Sequence, residues 1–169
     1  MKKSFILIIF FLLTFVINGY TQEESFIAVS MYNFTRYVDW PLDDASSDFI
    51  IDVIGHKSVY EKLKEMTNDR KVGNRRMVVR YLDGVSNITK SDMLFLGFWQ
   101  SKDMAKALAK VGNAHTLIIA EKDGMIDAGA GINFVIRNNA IKFELKRNNI
   151  LKYGLKVTEE LASLAYKSY

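Results

Sequence analysis

The sequence predicts an α/β fold: a mostly parallel central sheet with helices on both faces and a C-terminal antiparallel β-hairpin at one edge. Three observations lead to this prediction. Short apolar runs of strand length alternate with segments of helical periodicity, an order typical of parallel strands joined by crossover helices. Most of these runs are nearly continuous, as in strands buried on both faces. Two further strand-like segments flank Asn138 and Asn139, residue types that tolerate the left-handed geometry of a hairpin turn.

The first predicted element is a helix from Glu24 to Trp40, where apolar and aromatic side chains recur at helical spacing. Pro41 ends it, because the residue before a proline is disfavoured in the helical region. The predicted strands are Phe49–Gly55, Met77–Leu82, Met93–Phe98, Thr116–Ala120, Ile132–Ile136 and Ile141–Leu145. The other predicted helices are Val59–Met66, Asp103–Val111 and Thr158–Tyr166. Gly112 stops the second of these, and Thr158 is the expected N-cap of the third.

The N-terminal residues 1–22 have the pattern of a secretory signal peptide. Two lysines precede an almost wholly apolar run from Phe5 to Ile17, and a run of about this length fits the roughly 7–15 residues of a signal-peptide core. Cleavage is expected near Thr21 or Gln22. A membrane anchor is the competing interpretation, but a spanning helix needs roughly 20 apolar residues. The sequence therefore predicts a single exported, periplasmic domain over residues 23–169.

The amino-acid composition argues against several kinds of partner and excludes several kinds of site. Loss of residues 1–22 removes two of the 23 basic residues and none of the 19 acidic ones, which leaves a net charge of about +2. This bias is too weak to indicate nucleic acid or an anionic membrane as the partner. The absence of cysteine excludes disulfides, thiolate metal sites and a cysteine nucleophile. His56 and His115 lack partners at metal-ligand spacing, so neither a metal site nor a cofactor is predicted.

Two groups of charged side chains are candidates for a ligand site. Glu121 and Asp123 come just after a buried strand, at the end where open α/β sheets bind ligands. Arg75, Arg76 and Arg80 form a basic patch around the second strand, which would suit an anionic ligand or an acidic partner. Each group also has a structural interpretation, as acids beside a helix start or as bases that protect a strand edge. The glycine-rich segment 124–131 fits neither phosphate-binding pattern, and a plain turn is predicted there.

The first predicted helix is apolar on more than one face. Tyr32, Phe34, Tyr37 and Trp40 crowd its C-terminal half, and core packing is the default interpretation of aromatic residues at this spacing. An apolar surface that exceeds one face leaves part of the helix for a second subunit or another partner. The residues themselves form no catalytic constellation, and they indicate an exported α/β domain with an apolar interface.

The segment Tyr32 to Pro41, YNFTRYVDWP, resembles the opening motif of the YfiR family of periplasmic proteins. The positions that fit the family pattern are Tyr32, Asn33, Phe34, Arg36, Val38, Asp39, Trp40 and Pro41. Further similar blocks follow in the family order at Gly73–Val79, Gly129–Phe134 and Ile141–Glu144. In the second of these blocks, GAGINF, the matching residues include Gly129, Asn133 and Phe134, while Ala130 replaces a glycine.

The resemblance implies a periplasmic binding module and not an enzyme. Family members that are understood inhibit a membrane diguanylate cyclase through its periplasmic domain and so lower cyclic di-GMP output, and homodimers occur among them. Those members carry disulfides, whereas this chain has no cysteine. The sequence is equally compatible with a sensor histidine kinase as the partner in place of a cyclase. The expected contact surfaces are the first helix and the hairpin over residues 132–145.

A small-ligand-binding protein is the alternative function. In this interpretation Glu121 and Asp123 share one crevice with Arg75 and Arg76, and the crevice holds an anionic metabolite.

Overall fold

The computed structural model describes residues 22–41 and 47–169. The predicted signal segment lies outside this part of the chain, apart from its last residue. Within the described residues no helix is both long enough and apolar enough to cross a membrane.

Helix α1 covers residues 22–37, and strand β1 (Val38–Asp39) follows it directly. The later helices are α2 (Lys57–Thr67), α3 (Met104–Val111), α4 (Met125–Ala128), α5 (Arg147–Leu151) and α6 (Glu159–Leu164). The later strands are β2 (Phe49–Ile54), β3 (Lys71–Val72), β4 (Arg75–Leu82), β5 (Met93–Leu96), β6 (Leu117–Ala120), β7 (Ile132–Arg137), β8 (Ala140–Leu145), β9 (Lys156–Val157) and β10 (Lys167–Ser168).

The main sheet has the strand order β10-β8-β7-β6-β5-β2-β4-β3. Its five central strands, β4, β2, β5, β6 and β7, run parallel. Strand β3 is antiparallel to β4, β8 is antiparallel to β7, and β10 is parallel to β8. Among the parallel strands this is the 2-1-3-4-5 order of a doubly wound sheet. Since crossover connections are right-handed, α2 lies on the face opposite α3 and α4. The predicted fold class is confirmed.

Helix α1 packs against the sheet through one buried stripe. Ile27, Met31 and Phe34 are each 1% exposed or less and recur at helical spacing. The ring of Phe34 stacks on Phe134, with centroids 6.1 Å apart, and meets Phe143 edge-on at 5.3 Å. Aromatic pairs at such distances add to the gain from burial. Phe134 and Phe143 are opposite one another on β7 and β8, so α1 covers the predicted hairpin.

The end of α1 differs from the prediction, because the helix stops at residue 37 and not at Trp40. The next two residues form β1, which pairs antiparallel with β9, Val38 opposite Val157. The carbonyl of Tyr37 accepts a hydrogen bond from the amide of Thr158 at 3.0 Å. A strand pairing with a distant segment therefore overrides helical periodicity and places Trp40 outside the helix.

The prediction of a plain turn over residues 124–131 is wrong, because this segment contains the single-turn helix α4. Gly124 and Gly129 flank the helix with φ of 84° and 118°, in the left-handed region that favours glycine. A Cβ atom at Gly129 would also lie 2.8 Å from Leu108 Cδ1. Gly129, a residue of the predicted family motif, therefore has a structural role between α4 and α3.

The hairpin prediction is confirmed, with one change at the sheet edge. Asn138 and Asn139 have φ of 52° and 57°, the left-handed conformation that a tight hairpin turn requires. Strand β10 pairs with β8, so the hairpin is covered by a further short strand. The predicted N-cap is also confirmed, since Thr158 Oγ1 accepts from the amide of Leu161 at 3.3 Å.

We expect Phe34→Ala to lower the free energy of unfolding by about 3–5 kcal/mol, because it removes a buried ring from the contact between α1 and the hairpin. Phe98→Ala is the matched control, since this ring is 46% exposed, and it should cost less than about 1 kcal/mol. Urea unfolding measures both changes. Equal destabilisation by the two variants would contradict this account of the core.

Candidate functional site

Arg75 and Asp92 form a buried ion pair at the amino edge of the sheet. Two bonds, Nη2–Oδ2 at 2.7 Å and Nη1–Oδ1 at 2.8 Å, make the pair bidentate. The side chains are only 13% and 11% exposed. Arg75 also donates to the carbonyls of Ser47 at 3.0 Å and Asp48 at 2.7 Å, and its guanidinium lies over the ring of Phe49. Because these contacts occupy its guanidinium, Arg75 has a structural role.

Trp40 joins the same cluster from the segment that follows α1. Its Nε1 donates to the backbone carbonyl of Asp92 at 3.0 Å, and its ring meets Phe49 edge-on at 4.9 Å. Asp92 Oδ2 accepts in addition from the amide of Ile50 at 2.8 Å. We call Trp40, Phe49, Arg75 and Asp92 the amino-edge clamp. Pro41 lies beside it, against Arg75. The close of the predicted family motif is therefore a structural anchor.

The opening residues of the motif have separate roles on α1. Phe34 belongs to the core. Arg36 is exposed, donates from Nη2 to Tyr32 Oη at 3.2 Å, and places its guanidinium 5.1 Å from the centre of that ring. Asn33 lines a groove beside the helix.

This groove, the α1–α6 groove, runs between α1 and α6 above β8 and has a volume of about 330 Å³. Apolar and aromatic side chains supply much of its lining, namely Phe26, Phe34, Phe143, Leu161, Leu164 and Tyr166. Phe26, Leu164 and Tyr166 remain exposed. Tyr37 and Glu160 form a polar contact at the rim, with Tyr37 Oη donating to Oε1 at 3.4 Å.

A second opening, the carboxyl-edge cavity, lies beyond the ends of β6 and β7 and has a volume of about 400 Å³. Its apolar wall consists of Phe98, Phe134, Val135, Ile136 and Ile141. Its charged residues are Glu23, Glu121, Lys122 and Asp123. The prediction that Glu121 and Asp123 follow a buried strand into an open region is in accord with this placement.

The usual ligand crevice of a doubly wound sheet is closed in this chain. That crevice lies where the strand order reverses, here between β2 and β5. The amide of Gly97 donates to the Ile54 carbonyl at 2.9 Å. A Cβ atom at Gly97 would lie 2.8 Å from the Gly55 carbonyl oxygen, and one at Gly55 would overlap the Gln100 side chain. The backbone and Gln100 fill the crevice, and the open cavity lies one strand further along.

The structure does not form the crevice that was predicted to combine both charged groups. Arg75 and Arg76 open β4 at the amino edge, whereas Glu121 and Asp123 follow β6 at the carboxyl edge. The six residues of β2 separate the two edges, which amounts to roughly 20 Å. Arg76 pairs with the exposed carboxylate of Asp48 at 2.9 Å. The predicted single crevice is therefore not formed, and a ligand-binding role for either group alone stays a prediction.

His56, for which no metal-binding role was predicted, contacts Glu121, a residue that lines the carboxyl-edge cavity. Its Nε2 lies 3.6 Å from Glu121 Oε1. Burial of the ring opposes protonation, but the contact with Glu121 and the charges of Glu121 and Glu24 outweigh it, and the pKa of His56 is raised. The position of His56 directly after a buried strand was the sequence signal that could have included it.

Asn133 supports the turn that carries the cavity residues. It is fully buried on β7, and its Nδ2 donates to the Lys122 carbonyl at 2.9 Å. Asn149, which sequence reasoning missed, similarly donates to the carbonyls of Ile126 and Ala130 at 2.8 Å each. Within the described residues no group of three His, Asp or Glu side chains could hold a metal ion.

A family model described as YfiR/HmsC-like matches residues 25–166. The chain belongs to the YfiR/HmsC-like family. The match extends from α1 to the residues after α6, so it includes the amino-edge clamp, the α1–α6 groove and every residue that lines the carboxyl-edge cavity except Glu23. No curated protein matches the chain in a sequence search. The predicted family is confirmed. In this chain many residues of the family motif are part of the core or of the amino-edge clamp, among them Phe34, Trp40 and Phe134.

We expect Arg75→Gln to lower the free energy of unfolding by about 3–5 kcal/mol, because it leaves the Asp92 carboxylate buried without its partner. The adjacent substitution Arg76→Gln is the control, since it removes an exposed ion pair and should leave the urea midpoint nearly unchanged. If Arg75→Gln unfolds at the wild-type midpoint, the clamp does not stabilise the sheet.

We expect the His56–Glu121 contact to stabilise the protein more at acidic than at alkaline pH. Because the folded pKa is raised, the contribution is complete below the unfolded value of about 6.5 and is lost as the pH rises through the folded value. Urea unfolding of wild type and Glu121→Gln across this range measures the difference in stability. The stability lost through Glu121→Gln should become smaller as the pH rises. Asp103→Asn, the control, should leave the pH dependence of the free energy of unfolding as it is in wild type. A difference that is independent of pH would rule out this titration.

Proposed function

We propose that the protein is a regulatory binding protein of the periplasm that acts on the outer domain of a membrane sensor. Membership of the YfiR/HmsC-like family supports this proposal, because the family suggests a periplasmic regulator of a diguanylate cyclase. The partner is a diguanylate cyclase in the first instance and a sensor histidine kinase as the second choice. The role requires binding and no chemical step, so we propose that the protein is not an enzyme.

The observation that carries the proposal is the α1–α6 groove. Leu164 and Tyr166 are 59% and 52% exposed, and they lie with Phe26 around one opening. Clustered exposed apolar side chains mark interaction sites more often than isolated ones do. Aromatic and leucine side chains inside, with polar groups such as Tyr37 and Glu160 at the rim, match the anatomy of a protein interface.

Regulation follows from differential affinity. A domain that binds the inactive state of a sensor more tightly than the active state shifts the equilibrium by the ratio of the two affinities. The groove is bordered by elements of the same rigid core, since Phe34 and Phe143 form part of both. A preformed surface of this kind binds with little loss of conformational freedom.

A second copy of this chain is the competing occupant of the groove. Homodimers are part of the proposal, and the exposed Phe26 and Val29 of α1 are the residues from which a dimer contact would extend. Measurement of the molar mass in solution distinguishes the two occupants, because a partner-specific groove leaves the mass of the purified protein unchanged when the groove is mutated.

The test uses two exposed leucines of similar accessibility. Leu164 borders the groove, whereas Leu151, 53% exposed, lies on α5. Deletion of the gene should raise the output of its sensor, measured as cyclic di-GMP for a cyclase. Expression of the Leu151→Glu protein should restore inhibition, and Leu164→Glu should not, with at least about a ten-fold loss of affinity because a charge is buried in an apolar contact.

Affinity capture from envelope membranes with the same two variants identifies the partner. The Leu151→Glu bait should recover the sensor that wild type recovers, and the Leu164→Glu bait should not. Unchanged cyclic di-GMP and unchanged kinase output in the deletion strain would contradict the regulatory role. Equal inhibition by both variants would move the contact surface away from the groove.

A further inference from the structure

We propose that the carboxyl-edge cavity binds an organic amine: a small ligand with a protonated amino group and an apolar body. This site is separate from the α1–α6 groove and does not depend on the regulatory role. It also reverses the sign of the ligand expected from the sequence, because the arginines that favoured an anion lie at the other edge of the sheet.

The cavity has the size and wall of a small-molecule site. Its volume of about 400 Å³ falls in the range of ligand pockets, roughly 300–1,000 Å³, in which apolar walls and a few polar groups are usual. Phe98 and Phe134 provide aromatic surface, and Ile136 and Ile141 provide aliphatic surface. Such a wall accepts the apolar body of the ligand.

Hydrogen-bond acceptors without donors are concentrated at this edge. Glu121 Oε2, Gln100 Oε1 and Asn133 Oδ1 are buried and have no hydrogen-bond partner among the described residues. Glu121 lines the cavity, and Asn133 bonds to Lys122, which also lines it. Strand pairing places Asn133 beside Ala120, the residue before Glu121. A buried acceptor without a donor is costly, so the edge favours a ligand that brings N–H groups.

The basic side chains near the cavity already have partners of their own. Arg137 pairs with Asp123 and Glu144 at 3.1 and 3.3 Å. Lys122 Nζ lies over the ring of Phe98, 5.9 Å from its centre. Among the described residues, Glu121 makes a charged contact with His56, whose Nε2 lies 3.6 Å from Glu121 Oε1. Carboxylate and ammonium form strong charge-assisted hydrogen bonds, and Glu121 is the group that would receive the ligand amine.

The aromatic ring at the cavity mouth is suited to a cation. Phe98 is 46% exposed, and the position of the Lys122 ammonium over its face shows that a positive charge is tolerated there. Trp99 packs edge-on against Phe98 at 5.1 Å and is itself 74% exposed. An amine between Glu121 and the Phe98 ring would combine an ion pair with a cation–π contact.

The experiment compares two probes of matched shape and opposite charge, 2-phenylethylamine and 3-phenylpropanoate, by thermal unfolding and titration calorimetry of the purified protein. A ligand that binds the folded state raises the melting temperature. We expect 2-phenylethylamine to raise it and 3-phenylpropanoate to leave it unchanged. Equal shifts with both probes, or no shift with either, would overturn the proposal.

The variants locate the site. Glu121→Gln should weaken 2-phenylethylamine binding by about ten-fold or more, because it removes the charge from the strongest acceptor. Phe98→Ala should weaken binding several-fold while the exposed position keeps the fold intact. Asp103→Asn removes a partly buried carboxylate that does not line the cavity, and the variant should bind as wild type does. Wild-type affinity in both Glu121→Gln and Phe98→Ala would overturn the proposal.

Discussion

The buried ion pair between Arg75 and Asp92 joins the amino ends of three parallel strands to the segment that follows α1. Arg75 opens β4, Asp92 precedes β5, and Asp92 also accepts from the amide of Ile50 in β2. Because Trp40 donates to the carbonyl of Asp92, the same residue determines where the chain arrives from the first helix. The cost of burying the two charges is compensated only while both Arg75 and Asp92 are present. The alignment of these strands and the position of the segment after α1 therefore depend on this ion pair.

Most of the fold could be predicted from two local signals, the alternation of strands with helices and the residue types of the hairpin turn. Features that depend on residues far apart in the chain could not be predicted. The left-handed Asn138 and Asn139 follow from local residue preference. The end of α1 does not, since it depends on pairing between Val38 and Val157, which are far apart in the chain. Helix α4 is a single turn between two glycines, too short for its periodicity to be recognised.

The candidate site shows the same division. Strand polarity alone places Glu121 and Asp123 at the carboxyl edge, and the structure agrees. Periodicity does not reveal which of two adjacent arginines is buried, because the partner of Arg75 lies on another strand. The residues of the family motif largely hold the fold together, although Phe34 and Phe143 also line the α1–α6 groove, whereas Phe98 and Glu121 of the carboxyl-edge cavity lie outside the motif.

The two tryptophans of the chain lie at opposite edges of the sheet and in contrasting surroundings. Trp40 is partly buried and bonded to the Asp92 carbonyl, whereas Trp99 is 74% exposed. The protein therefore carries two intrinsic fluorophores, one shielded and one open to water. A water-soluble quencher such as acrylamide would suppress the emission of Trp99 first. Events at the two edges can then be observed separately by optical spectroscopy, in one unlabelled sample.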